Sequence, residues 1–221
     1  MLKKIKDFKE KSAFKKLNAE LSLAPKRQKE INNFKTARTA GIVFHVTQAA
    51  TLFSVRKLDE FISQQGIHVE VLGMLSNLKL VDQYLYRKGY KFFTKEDLNW
   101  WGKPQNEVVA KFIHTPFDLL LDLSIENYFP IQYITALSQA KFIIGRKTAL
   151  PFSPDLAIDM DQEDKYRKEV EAEIKKSKNK NGLAKSKLET EVDKKVELEM
   201  RLNFLIEQIK HYLSVIEIDK S

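Results

Sequence analysis

The stretch PFDLLLDLSIENYFPIQYITALSQAKFIIGR, residues 116–146, constrains the fold more than any other part of the chain. Phe117 to Leu123 is an apolar run of strand length. Pro130 opens a helix at the position where its missing N–H costs nothing. Ala140 ends that helix, and Lys141 to Gly145 is the next strand. Strand, helix and strand within about 30 residues make a βαβ unit, whose crossover returns the chain parallel to itself. A chain carrying this unit belongs to the α/β class.

The flanking sequence extends the alternation. A helix is expected from Leu2 to Leu21, broken before Pro25, and a second short one from Lys26 to Phe34. Ala40 to Val46 reads as a buried strand. Gln48 to Gln65 is helical, with Leu52, Val55, Phe61 and Ile62 near one face and Gly66 at its end. Ile67 to Leu75 is a strand, Asn77 to Gly89 a short helix and Tyr90 to Lys95 a strand. Asn106 to His114 is helical again, and Leu156 to Met160 forms a short edge strand. The expectation is a three-layer, Rossmann-like α/β fold with a mostly parallel sheet of five or six strands.

Residues 161–200 differ in composition, with 11 acidic and 11 basic residues. Tyr166, Val170 and Ile174 are four apart, as are Leu188, Val192 and Val196, and the polar stretch KSKNKNG separates them. Two thin helical stripes joined by such a turn predict a charged helical hairpin that projects from the domain. A disordered charged linker is the alternative. Leu202, Leu205, Ile206, Ile209, Leu213 and Ile216 then form a broader stripe that returns to the core. The organisation read from this is a basic helical arm (1–36), an α/β domain (37–160), the hairpin (161–200) and a C-terminal helix (201–221).

Charge is unevenly placed. Residues 1–40 hold 12 Lys+Arg against 4 Asp+Glu, which equals the whole net charge of +8. A basic arm suits RNA, a ribosome or an anionic membrane surface, with Lys3, Lys4, Lys11, Lys15, Lys16, Lys26 and Arg27 as contacts. Leu2, Ile5, Phe8, Phe14, Leu17 and Leu21 recur at near-helical spacing, so the competing reading is an amphipathic helix lying on the domain. The hairpin is a candidate surface for a protein partner. No run of 18 apolar residues and no signal-peptide pattern is expected to place the chain in or across a membrane. The absence of cysteine excludes disulfides and thiolate chemistry and suits the cytoplasm.

In an open parallel sheet, ligands bind beyond the carboxyl ends of the strands. That selects His45 and Thr47 after the first strand and Ser76 and Asn77 after the second. Asp122, Ser124, Glu126 and Asn127 follow the Phe117 strand, and Arg146 follows the next. Thr47 serves equally as a helix N-cap, and His45 as a hydrogen-bonded core residue. The loop HVTQAATLF lacks GxGxxG and GxxxxGK[ST], Ser124 is not in GxSxG, and the four histidines are isolated. No cofactor or metal is expected. Asp118 and Asp122 share a strand face at ~13 Å, too far for one acid–base pair, and Asp155 with Asp159 repeats the spacing.

FFTKEDLNWWGKP holds both tryptophans. Thr94 with Asp97 three residues on predicts a capped helix start, and Gly102 and Pro104 mark its end. Neighbours on a helix point ~100° apart. Trp100 is therefore expected to pack and Trp101 to line a surface or cleft.

FFTKEDLNWWGKP, PFDLLLDLS, ALSQAKFIIGR and FLIEQIKHYL together resemble a bacterial family of unknown function, over residues 30–160 and 200–216, with the charged hairpin as an insertion. The resemblance implies a shared fold in small cytoplasmic proteins and carries no activity. FDLLLDLS and AKFIIGR are also similar to the "DLxIDL" and "AKxRIG" strands in the N-terminal half of heptosyltransferase-like glycosyltransferases. HVTQ stands where that family has its Gly-Asp acceptor motif, and the residues after Arg146, read as largely helical, are not expected to form a nucleotide-sugar-binding half. The function expected is a non-enzymatic binding or assembly module using the basic arm. The alternative is a single-domain enzyme, or a nucleotide or sugar-phosphate binder related to glycosyltransferase half-domains.

Overall fold

The computed structural model describes residues 2–46, 48–75, 88–148, 152–161 and 187–218, apart from the side chains of residues 2–8 and 187–193. In chain order the elements are α1 (Leu2–Leu23), β1 (Thr39–Val46), α2 (Ala49–Gln64), β2 (His68–Leu75) and β3 (Tyr90–Thr94). They continue with α3 (Glu107–His114), β4 (Leu119–Asp122), α4 (Phe129–Leu137), β5 (Phe142–Arg146), β6 (Leu156–Ile158) and α5 (Lys187–Val215). The six strands form one sheet in the order β3-β2-β1-β4-β5-β6, and every pairing is parallel. This is the 3-2-1-4-5-6 order of doubly wound dinucleotide-binding folds, with its switch point between β1 and β4. The βαβ unit is β4, α4 and β5. The helix expected over Asn77 to Gly89 lies largely outside the described residues, as do Ser76 and Asn77.

Strand side chains alternate between two apolar layers. Ala40, Ile42, Phe44 and Val46 of β1 meet Leu52, Val55, Leu58 and Ile62 of α2 and Leu202, Leu205, Ile206, Ile209 and Leu213 of α5. Val43, Leu72 and Leu120 face the other layer, with Phe112 and Ile113 of α3, Ile131 and Ile134 of α4, and Ala13 and Leu17 of α1. Leu17 has no exposed surface, so the basic helix is part of the core rather than a detached arm. α5 is one continuous helix from Lys187 to Val215, running through residue 200 without a break. The first half of the expected hairpin lies outside the described residues.

Two local expectations are corrected. Lys26 to Phe34 is irregular, not helical. Its helix propensity loses to long-range contacts: Arg27 reaches Asp155, Glu30 N donates to Lys141 O, and Asn33 side-chain N donates to Ile216 O. TKEDLNWWG is likewise not one helix. The Thr94–Asp97 capping box forms, but it starts a single 3-10 turn over Lys95–Asp97. Leu98 then turns extended and bridges to Pro104. Asn99 to Gly102 closes a reverse turn through Gly102 N donating to Asn99 O at 3.0 Å. Gly102, at φ +96°, takes the left-handed backbone that L side chains resist.

Candidate functional site

The switch point brings β1, the β4–α4 loop and the end of β5 together. His45, Ser124 and Glu126 line one small cavity there. The His45 ring stacks on Tyr128 at 4.2 Å with planes 9° apart. Burial, reinforced by the charge of Lys95, lowers the His45 pKa to about 4. The imidazole is therefore neutral at neutral pH.

β4 delivers Asp122, whose carboxylate accepts from Ser124 N at 2.9 Å and Thr135 Oγ1 at 3.0 Å. Burial pushes its pKa up, against the pull of the Ser124 and Thr135 hydrogen bonds and the Arg146 charge. A Cβ on Gly145 would stand 3.1 Å from Asp122, so glycine lets β4 and β5 close at this end. Arg146 Nε donates to Ser124 O at 3.2 Å, and its terminal nitrogen to Asn127 Oδ1 at 2.7 Å. The guanidinium thus braces the β4–α4 loop. Glu126 and Asn127 are exposed, whereas Ser124 is buried.

α5 covers this crevice. Leu198 and Leu202 form its far wall, and Gln48 Nε2 donates to Lys195 O at 2.9 Å. The remaining cavity is about 30 Å³, room for about one water. Gln48 occupies the N-cap position of α2, and Thr47 lies outside the described residues. Among the described residues, no three His, Asp or Glu side chains gather where they could hold a metal ion.

The paired carboxylates are structural. Asp118 accepts from Arg38 N at 2.8 Å and Thr39 N at 3.0 Å and pairs with Lys141 at 3.1 Å. Asp155 grips Arg27 through two 2.6 Å bonds, and Asp159 pairs with Lys147.

The basic helix divides its lysines. Lys11 and Lys15 are exposed, as is Lys26 beyond the helix end. Lys16 Nζ lies 4.5 Å from the Trp100 ring centroid and 5.2 Å from that of Trp101. Arg27, expected as a nucleic-acid contact, is turned inward to Asp155 and the Ala140 carbonyl. Lys3 and Lys4 lie on α1, with side chains outside the described residues.

The tryptophan assignment is reversed. Trp101 is 7% exposed, against Phe129 at 5.9 Å and Tyr133 at 6.1 Å, and Trp100 is 61% exposed. The two are the central residues of the Asn99–Gly102 turn, where successive side chains diverge in a way helical spacing does not describe. Trp101 therefore lies away from the crevice, on the α4 side.

Sequence reasoning missed the cluster that seats α1. Lys103 Nζ donates to both Glu20 oxygens at 2.9 Å, and Tyr133 OH donates to the same carboxylate. Burial, and after it Glu20, raises the Tyr133 pKa, keeping the phenol protonated. An acidic residue in line with Ala13 and Leu17 on the buried stripe was the available signal. Beside this cluster runs a groove of about 610 Å³, walled by Leu23, Pro104, Val109, Ile113 and Leu137.

Among the described residues, no helix is long and apolar enough to cross a membrane. Comparison with curated proteins and with solved structures finds no match. One family model does match, over residues 9–177, from within α1 through part of the charged segment and stopping short of α5. The chain belongs to that family, a family of unknown function (DUF6913), in keeping with the resemblance carried by FFTKEDLNWWGKP, PFDLLLDLS and ALSQAKFIIGR.

Proposed function

We propose that this protein is a binding or assembly module whose working surface is the outward basic face of α1. One observation carries the reading: α1 is docked by its apolar stripe, Ala13 and Leu17 buried, so Lys9, Lys11 and Lys15 point outward from a fixed support. The crevice beyond the strand ends is walled on one side by Leu198 and Leu202, and the cavity left is about 30 Å³. A polyanion in solution suits the arm better than a bilayer. An interfacial helix must bury its apolar face among acyl chains, and from Ala13 to Leu21 that face is already buried in protein. RNA or a ribosome is the partner of this chemistry, and a chain without cysteine suits the cytoplasm.

The test is charge reversal in the intact protein. Lys11→Glu with Lys15→Glu is expected to weaken co-sedimentation with ribosomes at low salt. Wild-type binding is expected to fall steeply as salt rises, as counterion release requires. Unchanged sedimentation of the double variant overturns the reading.

The strand order and the Arg146–Asn127 brace at the switch point favour one alternative, a nucleotide or sugar-phosphate binder. A thermal-shift screen against such ligands separates the two, because tight binding raises Tm by mass action. A shift in the wild type that disappears in Arg146→Ala supports the alternative.

A further inference from the structure

We infer that Trp100 is the base-stacking element of a single-stranded nucleic-acid site that it forms with α1. This rests on the binding role of α1 proposed above and names the class of polyanion.

The ring is exposed yet rigidly carried. Asn99 Oδ1 accepts from Trp101 N at 3.2 Å and from Lys103 N at 3.0 Å, while Asn99 N donates to Lys103 O at 3.0 Å. Trp101 anchors the turn in the α4 layer, and the Leu98–Pro104 bridge closes its base. A preorganised aromatic loses little conformational entropy on binding. Lys16 places its cation against the indole, so the ring sits within the positive field of α1. Exposed Lys15 lies about 100° round the helix from Lys16, with exposed Lys11 one turn before it on the same face. A cationic track beside an aromatic face is the arrangement that binds single strands without reading sequence: phosphates follow the lysines and a base stacks on the ring.

A lipid surface is disfavoured by what surrounds Trp100. Among the described residues, most other exposed large apolar side chains lie on other segments, namely Ile31, Phe53 on α2, and Val196, Met200, Tyr212 and Val215 on α5, while Leu23 is a single one about two turns beyond Lys16 on α1. Among the described residues, a lone Leu23 does not make the broad apolar patch that an indole entering a bilayer needs beside it.

The experiment uses the full chain and a 15-residue oligouridylate, U15, at low salt. Wild-type fluorescence is expected to quench on titration, with the quench kept in Trp101→Phe and lost in Trp100→Phe. Trp100→Ala, at an exposed position, is expected to keep the wild-type melting temperature. It should bind fluorescein-labelled U15 about tenfold or more weakly. If U15 binds but Trp100→Ala matches the wild type and no quench occurs, the stacking inference falls and the basic-surface reading stands. If the wild type does not bind U15 even at low salt, the inference falls, and ribosome co-sedimentation of the Lys11→Glu, Lys15→Glu variant decides the reading of α1 separately. Binding to phosphatidylserine vesicles with a blue shift of Trp100, and none to U15, overturns the inference in favour of a lipid surface.

Discussion

Replacing Arg27 with Met tests the boundary between structure and function in the basic segment. Arg27 and Asp155 are 14% and 12% exposed at their side chains and share two 2.6 Å bonds. Arg27 also donates to Ala140 O at 3.0 Å. Stranding a buried charge costs about 3 to 5 kcal/mol. Two groups soften that loss: Ile143 N still donates to Asp155 at 2.9 Å, and Lys29 still sits 3.0 Å away. Arg27→Met is therefore expected to cost about 2 to 4 kcal/mol. For a chain of this size that lowers Tm by about 4 to 16 °C.

Acid supplies the signature. Burial alone would raise the Asp155 carboxyl, but the Arg27 hydrogen bond, with Ile143 N and Lys29, holds it below the usual range. A carboxylate with a depressed folded pKa contributes stability that is present above the unfolded pKa and lost as pH falls through the folded one. The wild-type advantage over Arg27→Met should thus be constant near neutrality and close below about pH 4. Urea unfolding of wild type, Arg27→Met, Asp155→Asn and the double variant, at pH 7 and at pH 3, measures it. A coupling energy under about 0.5 kcal/mol at pH 7 would refute the clamp. So would a tenfold loss of U15 affinity in Arg27→Met at unchanged stability.

Leu17→Ala, at a site with no exposed surface, should cost about 2 to 5 kcal/mol in urea unfolding. Loss of an arm that merely rests on the domain would cost far less. His45, lowered to about 4 by burial first and Lys95 second, should show no imidazole titration by NMR between pH 8 and pH 5. Because its folded pKa lies below the unfolded value near 6.5, its contribution to stability should decline as pH falls from about 6.5 towards 4. Titration near 6.5 would show an accessible ring. Acrylamide should quench the Trp101→Phe protein, whose indole is Trp100, far more than the Trp100→Phe protein; equal quenching would contradict the turn geometry.

Much of the fold was legible because it rests on local rules. Pro130 at a helix start, the apolar runs of β1, β4 and β5, and the glycine ending α2 each declare an element within a few residues. Even the Thr94–Asp97 capping box is legible, since both partners lie within one turn. The candidate site was legible only in part. Position in the sheet points to His45, Ser124 and Glu126 together, and the three line one cavity. It says nothing of α5, whose Leu198 and Leu202, about 75 residues beyond Ser124, form the far wall of that cavity.

Periodicity and composition are properties of neighbours, so the class of fold, the parallel crossovers and the confinement of net charge to residues 1–40 can be read along the chain. Tertiary structure decided which charges face water, which tryptophan is buried and whether the crevice is open. Arg27 turns inward only because Asp155 waits 128 positions away. Trp101 is buried only because Phe129 and Tyr133 lie under the turn. Such pairings depend on desolvation in a shared interior, and no local pattern encodes the distance across it.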